Sequence, residues 1–312
     1  MSIHPDDQKE YDAFLQERVK ALGSLSFEPG TLIWHYTDGP GLIGILESGT
    51  LFSTQVSCLN DSSEIRYASS LFKNALVGLL TKYSADAAIQ SFLKKYLKLL
   101  EEEPDHPTHA PSPFFVTCFS AQEDDLTQWR SYSGGENGYA IGFIASSLFT
   151  APDSLLVRVN YDRQLHETLA SEIGEATVRF FRSGLDKKRA ETPEKWEEEF
   201  FNFWDPYITR IAPMVKDHGF RAENEYRVIH EFRVSELMHL KMIQKKSMMT
   251  RHLPLIFPRG GEAWVPRLPI TKIIVGPCRH REITRISVDT LLRKMGYGTG
   301  KVTASQRPFQ ET

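Results

Sequence analysis

No apolar run in this sequence approaches the roughly 18 residues that a membrane helix needs. The opening MSIHPDDQKEYD has neither the basic nor the apolar region of a signal peptide. A cytoplasmic protein without a membrane partner is therefore expected. Cysteine is scarce: Cys58, Cys118 and Cys278 stand far apart without metal-ligand spacing, which argues against a disulfide framework and reads as three core thiols. Neither sign of charge dominates, and a formal charge of -3 gives no general reason to expect nucleic-acid binding. Residues 276–312 depart from this with a local net of +4, which reads as a solvated helix face. No G-x-S-x-G, H-E-x-x-H or Walker sequence occurs. Gly138 and Gly142 flank a strand candidate instead of joining strand to helix, which disfavours a dinucleotide fingerprint. His106 and His109 form an H-x-x-H in a proline-rich loop but lack the further ligands a metal site requires, so no metal is expected.

What the chain does have is enough apolar content, 41% of 312 residues, to bury one large core or two modest ones. Amphipathic spacing predicts helices over 6–22, 60–82, with Asn60-Asp61 as cap, 85–100, 124–133, 164–184, 193–215 and 281–295. Strands are expected at FFVTCFS (114–120), YAIGFIAS from Tyr139, LLVRVNYD from Leu155, EYRVIHEF from Glu225, LPLIF from Leu253, AWVP from Ala263, KIIVGP from Lys272 and KVTAS from Lys301. Strands and helices come in runs, which favours an α+β fold with mixed, mainly antiparallel sheets and flanking helices. The expected organisation is an N-terminal helical segment, 1–29, and a single α+β domain, 30–312, with a surface loop near 101–113.

Two stretches carry chemistry. In LIWHYTDGPG, a buried run delivers His35, Tyr36 and Thr37 to a strand end and then meets Asp38-Gly39-Pro40-Gly41, a strong breaker. A short helix follows, closing at Gly49. Polar side chains at a strand end beside a helix are frequent in ligand sites. In FRAENEYRVI an extended conformation puts Glu223, Glu225 and Arg227 on one face and Tyr226 and Val228 on the other. Those charges either pair on a surface or place a carboxylate in a cleft near His35.

The blocks HYTDGPGLIGILESGTL, LNDSSE, FFVTCFSAQEDDLTQWRSY, GYAIGF and ENEYRVI together resemble, over residues 31–307, the bacterial family of domain of unknown function number 2971. The first block is also similar to the opening block of ADP-ribosyltransferase-like enzymes, including DNA-modifying toxins of the DarT type, through His35, Thr37, Leu42, Ile45, Leu46, Gly49 and Leu51. That second resemblance implies a cleft for a nucleotide-type small molecule, with NAD as substrate and no separate cofactor. Cleavage of the nicotinamide–ribose bond passes through an oxocarbenium-like state. In this reading Glu225 or Glu223 is the catalytic carboxylate and His35 holds a ribose hydroxyl. Tyr36 offers an aromatic face, with Thr37 beside it and Arg227 among the ligand contacts. Ser120 resembles the strand-ending serine of some transferase branches, and Trp129, Arg130 and Tyr132 form a lid. A toxin or phage-defence role is implied by the same analogy. The alternatives are a non-catalytic sensor of a nucleotide or protein, and a hydrolase of another phosphorylated metabolite. The acceptor, nucleic acid or protein, and the oligomeric state are not legible.

Overall fold

Residues 5–23, 28–59, 63–102, 114–132, 137–148, 154–187, 190, 192–203, 210–244, 248–255 and 268–308 are described by a computed structural model. His106 and His109, the Asn60-Asp61 cap and the AWVP strand candidate lie outside them. In chain order the regular elements begin with α1 (Pro5–Gly23), β1 (Leu32–Thr37), α2 (Gly39–Ser48), β2 (Leu51–Gln55), α3 (Ser63–Lys82) and α4 (Ala87–Glu102). Next come β3 (Phe114–Ser120), α5 (Leu126–Tyr132), β4 (Tyr139–Ile144), β5 (Ser154–Arg158), α6 (Arg163–Asp186) and α7 (Pro193–Phe203). The last are β6 (Glu225–Glu231), β7 (Lys241–Gln244), β8 (Met249–Leu255), β9 (Ile270–Val275), α8 (Arg281–Lys294) and β10 (Val302–Ala304). Of the helix expected over 193–215, α7 covers Pro193–Phe203 and residues 204–209 lie outside the described ones, while Ala212–Met214 form a 3-10 turn with Pro213 in its first turn. No helix among the described residues is long and apolar enough to cross a membrane.

The elements gather into two units, each drawn from three separate stretches of chain. One comprises residues 1–24, 56–114 and 159–220, the other 25–55, 115–158 and 221–312. The first unit is helical. Its centre is aromatic: Phe92 stacks on Phe181 with ring centroids 4.0 Å apart, and Phe200 meets both edge-on. Gly184 leaves room for the indole of Trp196, which would lie 2.1 Å from a Cβ placed there. Several buried polar groups in this unit are paired. Lys216 bonds Glu64 at 2.8 Å with both nearly fully buried, and His166 bridges the Tyr67 hydroxyl and Asn160 Oδ1.

The second unit holds the sheet, in the order β10-β9-β4-β1-β3-β2-β8-β7 with β5 and β6 attached through β3. The pairs of known register are antiparallel except β9 with β10. The α+β expectation therefore holds. Pleating sorts the side chains. Ile33, Phe119, Ile141, Phe143 and Val228 bury one face against Leu42, Ile45 and Leu46 of α2 and Val288 and Leu292 of α8. Trp34, Tyr36, Ala140 and Ile274 form a smaller cluster on the other face, closed by Trp129 of α5.

One topological feature bears on function. β3 pairs β1, β2 and β6, yet a strand has only two edges, so two of these partners share one. β1 is registered to β3 at a single position, Trp34 opposite Ser120, while β2 meets it at Phe115 and Val116. At Ala121 the amide donates to the carbonyl of Asn224, just ahead of β6. β1 and the entry to β6 thus reach the same end of β3, and beyond Trp34 the ladder between β1 and β3 opens.

Candidate functional site

β1 ends at Thr37 because Asp38 caps the next helix: its carboxylate accepts the Gly41 amide at 2.8 Å, and Pro40, lacking an N–H, occupies the first turn. Gly49, at φ 65°, ends α2 in the left-handed conformation expected from the sequence. With one early amide taken and another missing, the start of α2 offers little to a phosphate. Gly41 is required for a different reason. A Cβ there would sit 2.0 Å from Thr37 Oγ1, so the strand end and the helix start pack too closely for any side chain.

His35 lies where the β1–β3 ladder opens. Its Nδ1 is 2.9 Å from the carbonyl of Cys118, two residues from the single β1–β3 register position. A carbonyl only accepts, so Nδ1 carries the proton and Nε2 presents a lone pair. Burial pushes the imidazole pKa down from its ordinary 6.5, the carbonyl bond opposing this in part. The ring is therefore neutral at neutral pH. It is half-buried and meets Phe119 edge-on at 5.8 Å. This side chain takes up a backbone acceptor and still has an acceptor of its own.

The neighbours expected to join it do other work. Tyr36 is buried, with Trp129 edge-on at 4.7 Å against its ring. Its hydroxyl donates to the Gln122 carbonyl and accepts the Asp125 amide, and burial raises its pKa. No aromatic face is left for a ligand. Trp129 is a core residue instead of part of a lid, with Nε1 donating to Asp124 Oδ1 at 2.7 Å. Arg130 and Tyr132 are exposed on the same helix.

Ser120 is 2% exposed and its hydroxyl is used twice, donating to the Glu223 carbonyl and accepting the Gln122 amide. It meets the ENE segment at the Glu223 carbonyl, a backbone atom, and not at a carboxylate. Glu223 belongs to the 3-10 turn His218–Glu223 and not to β6, so the expected alternation of Glu223, Glu225 and Arg227 along one strand fails at its first member. Asn224, at φ 44°, makes the break; its side chain accepts Arg158 Nη2 and its carbonyl accepts Ala121 N–H. Neither Asn224 nor Arg158 stood out in the sequence. The only signal was an asparagine, the residue most tolerant of positive φ after glycine, just ahead of a strand.

Glu225 and Arg227 form a bidentate pair, Nε to Oε1 at 2.8 Å and Nη2 to Oε2 at 2.9 Å, with both residues buried. They alternate with Val228 of the main core, so they leave β6 on the face away from it. Ser120 shares the Trp34 face, because the two are directly opposite. His35 points the other way, in phase with Ile33. The three residues come from three strands joined through β3, but the convergence of His35 with Ser120 and Glu225 on one face is not what the pleat produces.

Residues 128–228 match the model of a family described as Protein of unknown function (DUF2971). The match covers the middle of the wider resemblance read from the sequence. It takes in Trp129, Arg130, Tyr132, Glu223, Glu225 and Arg227 and leaves out His35 and Ser120. The DUF2971 description carries no activity. Comparison with curated proteins and with solved structures returns no match.

Proposed function

We propose that this protein binds a nucleotide of the NAD type beside His35, where β1 and β3 part, in the manner of an ADP-ribosyltransferase-like fold. The single observation that carries the reading is the state of the His35 ring: Nδ1–H is held by the Cys118 carbonyl, leaving a neutral, half-buried imidazole with Nε2 as an acceptor. That is the form suited to accept a hydrogen bond from a ribose hydroxyl. The reading also requires a recess beside this ring, and the branching of the sheet at β3, which pairs three strands, supports one there. Whether the bound nucleotide is cleaved turns on a carboxylate. Both oxygens of Glu225 already accept from Arg227, which commits the carboxylate to that pair instead of to a substrate. This favours binding without turnover, the sensor reading, over NAD cleavage or ADP-ribose transfer in a toxin or defence role. Incubation of the purified protein with NAD, followed by mass spectrometry, separates them. Unchanged NAD together with saturable binding supports the sensor, release of nicotinamide restores the enzyme, and neither binding nor release removes NAD as the ligand.

A further inference from the structure

The described residues expose fourteen large apolar side chains, and half of them fall within residues 234–249: Val234, Leu237, Met238, Met242, Ile243, Met248 and Met249. Val234 and Met238 are 83% and 90% exposed. A cluster of this kind marks an interaction surface, whereas the same number scattered singly would need no explanation. It is a built feature. The Glu236 carboxylate accepts the Arg233 amide at 2.7 Å and is 2.9 Å from His230 Nε2, which pins the 3-10 turn Val234–His239 and holds Leu237 and Met238 outward.

The turn leads into β7, the last strand in the order of the sheet, all four residues of which are exposed. Pairing with β8 sets Met242 opposite Arg251 and Gln244 opposite Met249 on one face, and puts Lys241 and Ile243 on the other. β7 thus exposes Met242, beside Arg251, on one face and Lys241 with Ile243 on the other, whereas His252 and Thr250, opposite them on that second face, are buried. Residues 233–251 hold five Lys/Arg against one Asp/Glu, a local net of +4 in a chain whose total is -3.

We infer that the β7–β8 hairpin and the turn before it dock on an anionic lipid surface. The charge selects the occupant. The described charges here are Arg233, Lys241 and Arg251 against Glu236 alone; two copies of such a net-positive surface repel, so a second chain is disfavoured at this face, while anionic headgroups attract it. Apolar side chains enter the headgroup region and the Lys and Arg side chains stay at phosphate level. Absence of a membrane-spanning helix does not oppose this, since peripheral docking needs none; it does depart from the expectation of no membrane partner.

The test is co-sedimentation of the full chain with vesicles of phosphatidylcholine alone and of phosphatidylcholine containing phosphatidylserine, with ultracentrifugation of the vesicle-free protein alongside. The expected result is binding to the anionic vesicles only, released by high salt. It should fall about fivefold in partition coefficient in Lys241→Ala. In Leu237→Asp/Met238→Asp it should be abolished. All these side chains are exposed, so the variants should melt with the wild type, and the charge variant reports independently of the apolar one. Equal binding to both vesicle types, no binding to either, or a wild-type dimer that Met238→Asp converts to monomer would each overturn the inference.

Discussion

At the scale of single residues, the chemistry divides between His35, which keeps a free acceptor, and a group of polar side chains committed to the fold. The pair Glu225–Arg227 is the clearest of the latter. Glu225→Gln retains shape but leaves a buried guanidinium without its charge partner, and breaking such a pair costs about 3–5 kcal/mol. Urea denaturation should show that loss, and a double replacement by apolar residues of similar volume should recover much of it. For a pure catalytic carboxylate the single variant would be as stable as the wild type. His35 makes a proton-linked prediction as well. Its folded pKa lies below 6.5, so between that folded value and 6.5 the unfolded chain binds a proton that the native ring refuses. Stability from this source is complete above pH 6.5 and is lost as the pH falls below it. The buried His166, also lowered by desolvation, adds in the same direction. A pH series of melting temperatures should decline on the acid side of 6.5 and decline less in His35→Gln.

At the scale of elements, β4 shows how closely the sheet is fitted. Gly142 lies opposite Trp34, and a Cβ there would approach the indole to 2.8 Å. Gly142→Ala must displace the indole or bend the strand, at about 1–3 kcal/mol. Near-ultraviolet circular dichroism, which reads tryptophan packing, should change with it. Much of this level was legible in the sequence. The FFVTCFS, YAIGF and KIIVG strands, the α2 unit between its Asp38–Gly41 breaker and the Gly49 stop, and the α8 helix all follow from periodicity and turn chemistry, which are local. What was not legible depends on distant partners. Tyr36 read as a ligand face because nothing local reveals that Trp129 covers it. Glu223 read as a strand residue because the 3-10 turn before β6 is held by Ser120, far away in sequence. β8 was expected only from Leu253 on, while β7 and the start of β8 went unnoticed since Met242, Ile243 and Met249 face solvent, against the usual pattern.

At the scale of the whole molecule, both units are discontinuous in sequence, and the DUF2971 segment contributes to each: 128–158 and 221–228 to the sheet unit, 159–220 to the helical one. It contains β4 but neither of its sheet neighbours, β1 and β9. A fragment of residues 128–228 should therefore lack a cooperative thermal transition, since β4 would bear two unpaired edges and β6 would be without β3. A folded fragment would mean that the segment is a domain in its own right, and the dependence of the sheet on β1 would have to be abandoned.

The most direct test of a nucleotide beside His35 is calorimetric titration of the full chain with NAD, wild type and His35→Ala side by side. Loss of one hydrogen bond to a ribose hydroxyl costs about 0.5–1.5 kcal/mol, more if its partner is left buried and unpaired. The predicted result is saturable wild-type binding and an affinity in the variant weaker by several-fold to a few tens-fold, with melting temperature shifted little. Identical affinities in the two proteins, or a variant that melts far lower yet binds as well, would contradict the account and make His35 a structural clasp on the Cys118 carbonyl.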